Sequence, residues 1–437
     1  MARVSVSNVL NALVELGRQY LDRPSPGAAA ESVVAMCHEL VSVHGEASGT
    51  ALASEIMSAY RSLDEEARLD ALGRINAEFA IDEARLVEAA RTYAGAPGEG
   101  NFRSLAAAIE SPRQELFRRI NMGPGGTAAI VAMRELLLAH MRDRADLAPL
   151  EQDLRHLLSS WFNRGFLQFE RIDWRTPANI LEKLIDYEAV HEITGWEDLR
   201  RRLAEDRRCF AFFHPALPDE PLIFVEVALT HGLAGQVQAL LEETDKEAGS
   251  SKPDTAIFYS ISNCQAGLAG ISFGNFLIKQ VADAVQRELP HIKRFATLSP
   301  IPGFRRWLDE QMGRAPPEFL GEDDVEMLRD GRWRDNEIAR EELKPALMRL
   351  CASYLIEAKR GDRPADPVAR FHLGNGARVE RLNWAADLSG KGLDQSAGMM
   401  VNYLYDSGEI VSNHEAYVRY GVIAASSGIT RLAAGRS

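Results

Sequence analysis

Hydrophobic positions divide the chain into two stretches of different rhythm. In residues 1–163 apolar side chains return every three or four positions, and Leu69, Leu72, Ile75 and Phe79 form one such stripe. That spacing is the buried face of a helix. Residues 1–21 pattern in the same way. Ser62 with Glu65, and Ser111 with Gln114, have capping-box spacing, the second with Pro112 at the first helical position. The loop 122–126 separates two further helices. The region predicts about seven to nine helices and no strand.

From Gly165 onward the apolar runs become short, as strands require. Strands are predicted at residues 167–172, 209–213, 222–229, 256–262, 295–298, 377–382 and 398–405. The runs 209–213 and 222–229 flank a connector with three prolines and predict an antiparallel pair. Helices are expected at 177–187 and 196–205, in the polar excursion 231–255, in the charged insertion 317–359 and at 413–434. Residues 360–366 read as a linker, and the glycine–asparagine turn 373–376 follows Phe371 and His372.

One stretch, 256–303, carries the strongest local signal. A strand is followed by glycines at 267, 270 and 274. Phe276, Leu277, Val281 and Val285 then recur at helical intervals, and Pro290 lies just past the end. A second strand is stopped by Ser299-Pro300-Ile301-Pro302-Gly303, because proline cannot extend a ladder. Glycines leading into a helix N-terminus suit an anion, which finds free N–H groups and about half a positive charge there. The same spacing also suits a tight turn with no ligand. No Gly-Lys-Ser/Thr follows, so this is not a Walker loop, and Gln265 stands where the dinucleotide fingerprint would have a glycine.

Composition narrows the classes. The 437 residues suggest two or three domains. A net charge of −13, from 50 basic and 63 acidic residues, argues against a non-specific nucleic-acid binder. Cys37, Cys209, Cys264 and Cys351 are scattered without a CxxC pair, which argues against structural zinc and against a disulfide scaffold and fits a reducing cytoplasm. His38, His44, His140 and His156 have no metal-ligand spacing, so no metal is expected. The N-terminus does not read as a signal peptide. Residues 256–278 lack formal charge over a length that spans a bilayer. Asn263, Gln265 and Asn275 make a strand–turn–helix the better reading, and no membrane is expected.

The order of elements, with a glycine turn between a central strand and a helix, resembles the GNAT acyltransferase superfamily. That resemblance implies a splayed sheet that admits the pantetheine arm of coenzyme A, and a turn that holds its pyrophosphate. Here the turn reads Gln265-Ala266-Gly267-Leu268-Ala269-Gly270, with the first glycine one place earlier than in that superfamily. A closer resemblance, over essentially the whole chain, is to the malonyl-CoA decarboxylase family. It is carried by Phe258–Ser262 with the glycine turn, by Leu298-Ser-Pro-Ile-Pro-Gly-Phe304, by Phe371-His-Leu-x-Asn-Gly-Ala377, by Asn383-Trp384 with Ala386-Asp387, and by Asn402-Tyr403-x-Tyr405.

The fold class implied is α+β: an all-helical N-terminal bundle over residues 1–164, expected to oligomerise as a homodimer or homotetramer, then a GNAT-like mixed domain over 165–437 with a central splayed sheet. The family's catalytic serine and histidine match Ser299 and His372, with Tyr405 and Asn383 as further hydrogen-bonding candidates. Coenzyme A contacts are expected at Ile261, Ser262, the turn 265–270, Lys279 and Arg305. Some relatives have a glutamate at the position of Ser272.

The implied reaction takes malonyl-CoA to acetyl-CoA and CO2 through a thioester enolate. Donors aimed at the thioester oxygen stabilise that enolate, and a histidine protonates it. The thioester is the electron sink, so no cofactor is needed beyond the coenzyme A of the substrate. Three other readings compete. A GNAT-type acyltransferase predicts an acceptor groove and no CO2. A non-catalytic coenzyme A-binding regulator predicts binding without turnover. A Ser–His hydrolase lacks both a Gly-x-Ser-x-Gly elbow and an acidic third member.

Overall fold

The structure is a computed structural model that describes residues 26–43, 45–242, 252–271, 277–314, 317 and 319–435. The helix expected at 1–21, Ser272 and Gly274 lie outside the described residues. The chain forms two compact units. One comprises Met1–Asn163, Pro215–Leu217 and Gln265–Ser272, the other Arg164–His214, Pro218–Cys264 and Phe273–Ser437.

The described part of the first unit is helical: α1 (Pro26–Ser42), α2 (Glu46–Ser62), α3 (Glu65–Glu78), α4 (Glu83–Gly95), α5 (Glu99–Ile109), α6 (Pro112–Asn121), α7 (Gly126–His140) and α8 (Ala148–Trp161). Leu72, Ile75 and Phe79 of the predicted stripe are buried, with Leu116, Phe117 and Ile120 of α6 and Leu150, Leu154 and Leu158 of α8. Each such side chain contributes about 1.5–3 kcal/mol. Helix α4 buries nothing and α5 only Ala108, so Val87, Phe102 and Ile109 stay exposed.

Two caps differ from expectation. Ser62 ends α2, and Asp64 caps α3 by accepting from Ala67 N, because the chain turns out of the helix at Leu63. Ser111 does precede Pro112, but its hydroxyl donates to Asp153 Oδ2 at 2.8 Å instead of capping.

The second unit is built on a mixed sheet. Its strands are β1 (Gln168–Ile172), β2 (Arg207–Phe213), β3 (Ile223–Thr230), β4 (Thr255–Asn263), β5 (Arg294–Thr297), β6 (Ser299–Pro300), β9 (Arg378–Asn383) and β10 (Met400–Tyr405). A small hairpin, β7 (Lys359–Arg360) with β8 (Arg363–Pro364), stands apart. The order is β1-β2-β3-β4-β5-β10-β6, with β9 on the other side of β10. The pair β2–β3 is antiparallel, as the proline connector predicts. Strands β4 and β5 form the parallel pair among the described strands.

That parallel pairing runs only from Thr255↔Arg294 to Phe258↔Thr297, with a last bond from Leu298 N to Phe258 O at 2.9 Å. Strand β4 then continues to Asn263, while the other strand breaks at Leu298 and resumes as β6 against β10. The sheet therefore splays, as the GNAT resemblance implies. A bulge adds Tyr259 to β4, where Glu226↔Ser260 is followed by Val227↔Phe258. One face of the splay region packs Ile257, Tyr259, Leu298 and Met400 against Val237 and Leu240. Alternation puts Thr297, Ser299, Tyr403 and Tyr405 on the opposite face.

Helices α9 (Ala178–Tyr187), α10 (Trp196–Arg202), α11 (Gln238–Leu241), α12 (Leu277–Glu288), α13 (Phe304–Arg314), α14 (Glu322–Asp330), α15 (Glu337–Glu357), α16 (Pro367–Gly374), α17 (Gly390–Ser396), α18 (Ile410–Tyr420) and α19 (Ser427–Ala433) complete the unit. Three correct the sequence reading. Helix α10 is shorter than expected. The single helix of 413–434 is two, α18 and α19. His372 sits on α16, where a turn before a strand was expected, because Asp366 caps a short helix with Pro367 at its first position.

Candidate active site

Strand β5, strand β6, helix α16 and strand β10 bring four side chains into one hydrogen-bonded chain. Ser299 Oγ lies 3.1 Å from His372 Nε2 and donates to Thr297 Oγ1 at 2.8 Å. His372 Nδ1 lies 2.7 Å from Tyr405 Oη. Thr297 Oγ1 also accepts from Tyr403 N at 3.1 Å. With Ser299 donating to Thr297, the tautomer and the other links follow. The Tyr405 hydroxyl donates to Nδ1, Nε2–H donates to Ser299, and Ser299 donates to Thr297. The imidazole thus aims a proton at Ser299. A hydrolase needs the reverse, a bare Nε2 taking the serine's proton.

The chain is almost sealed, with Ser299 6% and His372 2% exposed. The Tyr403 ring stacks on the imidazole at 4.6 Å, and the Tyr405 ring meets it edge-on at 6.0 Å. Burial with no charged partner pushes the His372 pKa down to about 3, so the ring is neutral at neutral pH. Burial likewise raises the Tyr405 phenol, keeping it protonated and able to donate. Tyr405 lines a cavity of about 370 Å³ with Lys279, Phe295, Asn375 and His414. Pro300 and Pro302, which follow Ser299, line a second of about 200 Å³ with His191 and Met400.

Ser299, His372 and Tyr405 therefore meet. Asn383 does not join them. Its Nδ2 donates to Asn402 Oδ1 at 2.9 Å, and Asn402 Nδ2 donates to the Thr297 carbonyl at 2.7 Å. Asn383 braces the strand under the site from the far side. Thr297 was missed in the sequence because it is one more residue of an alternating strand, and Asn402 and Tyr403 were read only as part of a string, without a role. Asp366 was missed as part of a linker, although Asp-Pro is a helix-start signal.

The expected coenzyme A contacts are used in several ways. Arg134, 1% exposed, donates to Gly267 O at 2.6 Å and Ala269 O at 2.9 Å, and pairs with Glu151 at 2.7 Å. A Cβ on Gly267 would stand 2.1 Å from the Val131 carbonyl oxygen. Its missing side chain thus serves the seat of the turn on α7, where ligand approach was expected. Leu268 N and Ala269 N are taken by Gln265 O and Ala266 O inside the turn, so those two amides are engaged. Gly270 has φ +75°, a conformation suited to glycine.

Ser262 Oγ donates to the buried Glu188 at 3.2 Å, with Ile261 beside it on β4. Lys279 lines the larger cavity. Arg305, expected to grip the nucleotide, is instead bound to Leu328 O at 2.8 Å and to Asp309 at 2.9 Å.

Comparison with known proteins agrees over most of the chain. Residues 165–437 match the family model of the malonyl-CoA decarboxylase C-terminal domain, and residues 79–162 that of the N-terminal domain. A mitochondrial malonyl-CoA decarboxylase of Anser anser anser is 36% identical over 409 residues, covering 85% of this chain and 81% of the relative. The crystal structure of malonyl-CoA decarboxylase from Rhodopseudomonas palustris is 48% identical, with TM-score 0.87, and covers 92% of this chain and 99% of that one. That from Agrobacterium vitis is 47% identical with TM-score 0.85, covering 92% and 99%.

Proposed function

From the premise that this chain belongs to the malonyl-CoA decarboxylase family, and so converts malonyl-CoA to acetyl-CoA and CO2, we propose that Ser299, His372 and Tyr405 carry the reaction. The observation behind the assignment is the meeting of the three side chains, with Ser299 Oγ 3.1 Å from Nε2 and Tyr405 Oη 2.7 Å from Nδ1; because Ser299 donates to Thr297, we assign the ring proton to Nε2. The Ser299 hydroxyl turns from Thr297 Oγ1 to donate to the substrate's carboxylate, which displaces the imidazole from Oγ. Held there, it stands out of the thioester plane, so that the breaking C–C bond overlaps the thioester π system.

CO2 departs and the electron pair of the broken bond enters the thioester as an enolate. Nε2–H then delivers its proton to the α-carbon while the Tyr405 hydroxyl passes its own to Nδ1, so the ring stays neutral and the phenolate is reprotonated from solvent. An anionic substrate beside the imidazole also raises its pKa from the depressed value of the empty site. The glycine turn 265–270, Ile261, Ser262 and Lys279 are the proposed coenzyme A contacts, and Asn383 supports the strand. The thioester supplies the electron sink, so EDTA-treated enzyme is expected to keep full turnover.

The test is CO2 and acetyl-CoA release from malonyl-CoA by the wild type, Ser299→Ala and His372→Ala. A loss of about 10²–10⁴-fold in both, with acetyl-CoA binding intact, is the expected result. Wild-type turnover in either variant overturns the assignment.

Residues 1–164 are proposed as an oligomerisation domain and 165–437 as the catalytic one. The uncovered apolar residues of α4 and α5 support a homodimer or homotetramer, and a monomer mass by light scattering would remove that reading. Among the described residues no helix is long and apolar enough to cross a membrane. The four buried thiols fit a cytoplasmic location, which cell fractionation tests.

A further inference from the structure

Asp366 is fully buried, and both of its oxygens are engaged. Oδ1 accepts from Val368 N and Ala369 N, each at 2.9 Å, and so caps the helix that presents His372. Oδ2 accepts from Gly303 N at 3.3 Å, at the end of the segment that begins with Ser299. The Tyr354 hydroxyl beside this contact leaves no room for a side chain at Gly303. A Cβ on Gly303 would stand 2.1 Å from Tyr354 Oη and 3.5 Å from Asp366 Oδ2. Burial raises the carboxyl's pKa, while bonds from Ala369, Gly303 and Val368 pull it back toward the ionised form.

A helix cap needs one oxygen and ordinarily leaves the other in water. Here the second oxygen is buried and accepts from a backbone N–H 63 residues away in sequence, which does nothing for the helix, and the carboxyl also bonds the Tyr354 side chain. We propose that Asp366 is a positioning residue, whose carboxylate clamps residues 299–303 to α16 and so sets the 3.1 Å separation of Ser299 and His372. One oxygen holds the helix that presents the imidazole, the other holds the loop that presents the hydroxyl. The inference rests on the proposed roles of Ser299 and His372.

Two substitutions separate the clamp from the cap. In Asp366→Ser the shorter hydroxyl still caps α16 but does not reach Gly303. In Asp366→Asn the volume is kept, yet the amide has one acceptor. Whichever way it turns, either the cap or the Gly303 bond is lost, and a donor then faces a donor. Turnover is measured per acetyl-CoA-binding site, so that misfolded protein does not count, together with KM and the thermal midpoint.

The expected result is a kcat about 10- to 100-fold lower in both variants, with KM for malonyl-CoA changed less than about twofold. A kcat per binding site within about twofold of wild type reduces Asp366 to a structural cap and overturns the inference, as does a KM that rises in step with the loss. Where Asp366→Ser does not fold, Asp366→Asn, equal in size, carries the test. Ser299→Ala and His372→Ala are run beside them. Full turnover in those two defeats the reading of the site itself, whereas their loss beside unaffected Asp366 variants defeats the clamp alone.

Discussion

His372 meets three neighbours in different ways: Ser299 at Nε2, Tyr405 at Nδ1, and Tyr403, whose ring stacks on it. Tyr405→Phe removes the tautomer bond and leaves the ring. We expect kcat to fall about 10-fold, against about 1 kcal/mol of stability for one lost hydrogen bond. Steady-state kinetics beside a urea melt would separate the two, and an unchanged kcat would make Tyr405 a packing residue only. Ser299 and His372 could be picked out from the sequence because their strings are distinctive. Thr297 could not be, since its significance lies in cross-strand pairing, and a buried Thr on an alternating strand looks like core from its neighbours alone; Asn402 stood in a quoted string, but its bond to the Thr297 carbonyl was not legible there.

Among the elements, the glycine turn and α16 show where a sequence reading stops. Glycines at 267 and 270 announce a close approach and leave open what is approached. For Gly267 it is the backbone of α7 at Val131. Gly267→Ala should therefore lower the stability of the helical unit by about 1–3 kcal/mol, the range for overpacking. Gly270→Ala meets nothing within 4 Å but strains a φ of +75°, for about 1 kcal/mol. Thermal melts that rank the two the other way would contradict the seat on α7. The helix α16 escaped notice because eight residues give barely two turns of periodicity. Its start signal, Asp366-Pro367, was present but read as linker.

For the whole molecule, the buried histidines contribute to the response to acid. Burial lowers His372 to about 3 and His191 to about 4, both below the ordinary value of 6.5. The unfolded chain takes up protons near pH 6.5 while the folded one does not, so stability falls as pH drops through that value toward 4. At pH 5 each group costs about 2 kcal/mol relative to pH 8. His372→Gln should flatten that part of the pH–stability curve, and an unchanged slope would mean that the ring charges in the native state. The two-part plan, helices then a splayed sheet, was readable because the apolar period changes at Gly165. The strand order was not, since it depends on β10, the last strand, pairing on both of its sides.

That late strand also bears on biosynthesis. Strands β5 and β6 flank β10 on one side and β9 on the other. Until Met400–Tyr405 leaves the ribosome, three strands wait with open edges, and the tyrosine that orients the imidazole does not yet exist. Such edges invite pairing with other nascent chains. Loss of even a short C-terminal stretch that includes β10 would thus leave an aggregating chain, where a weakened enzyme might have been expected, and a stop codon before Met400 would read out as missing soluble protein.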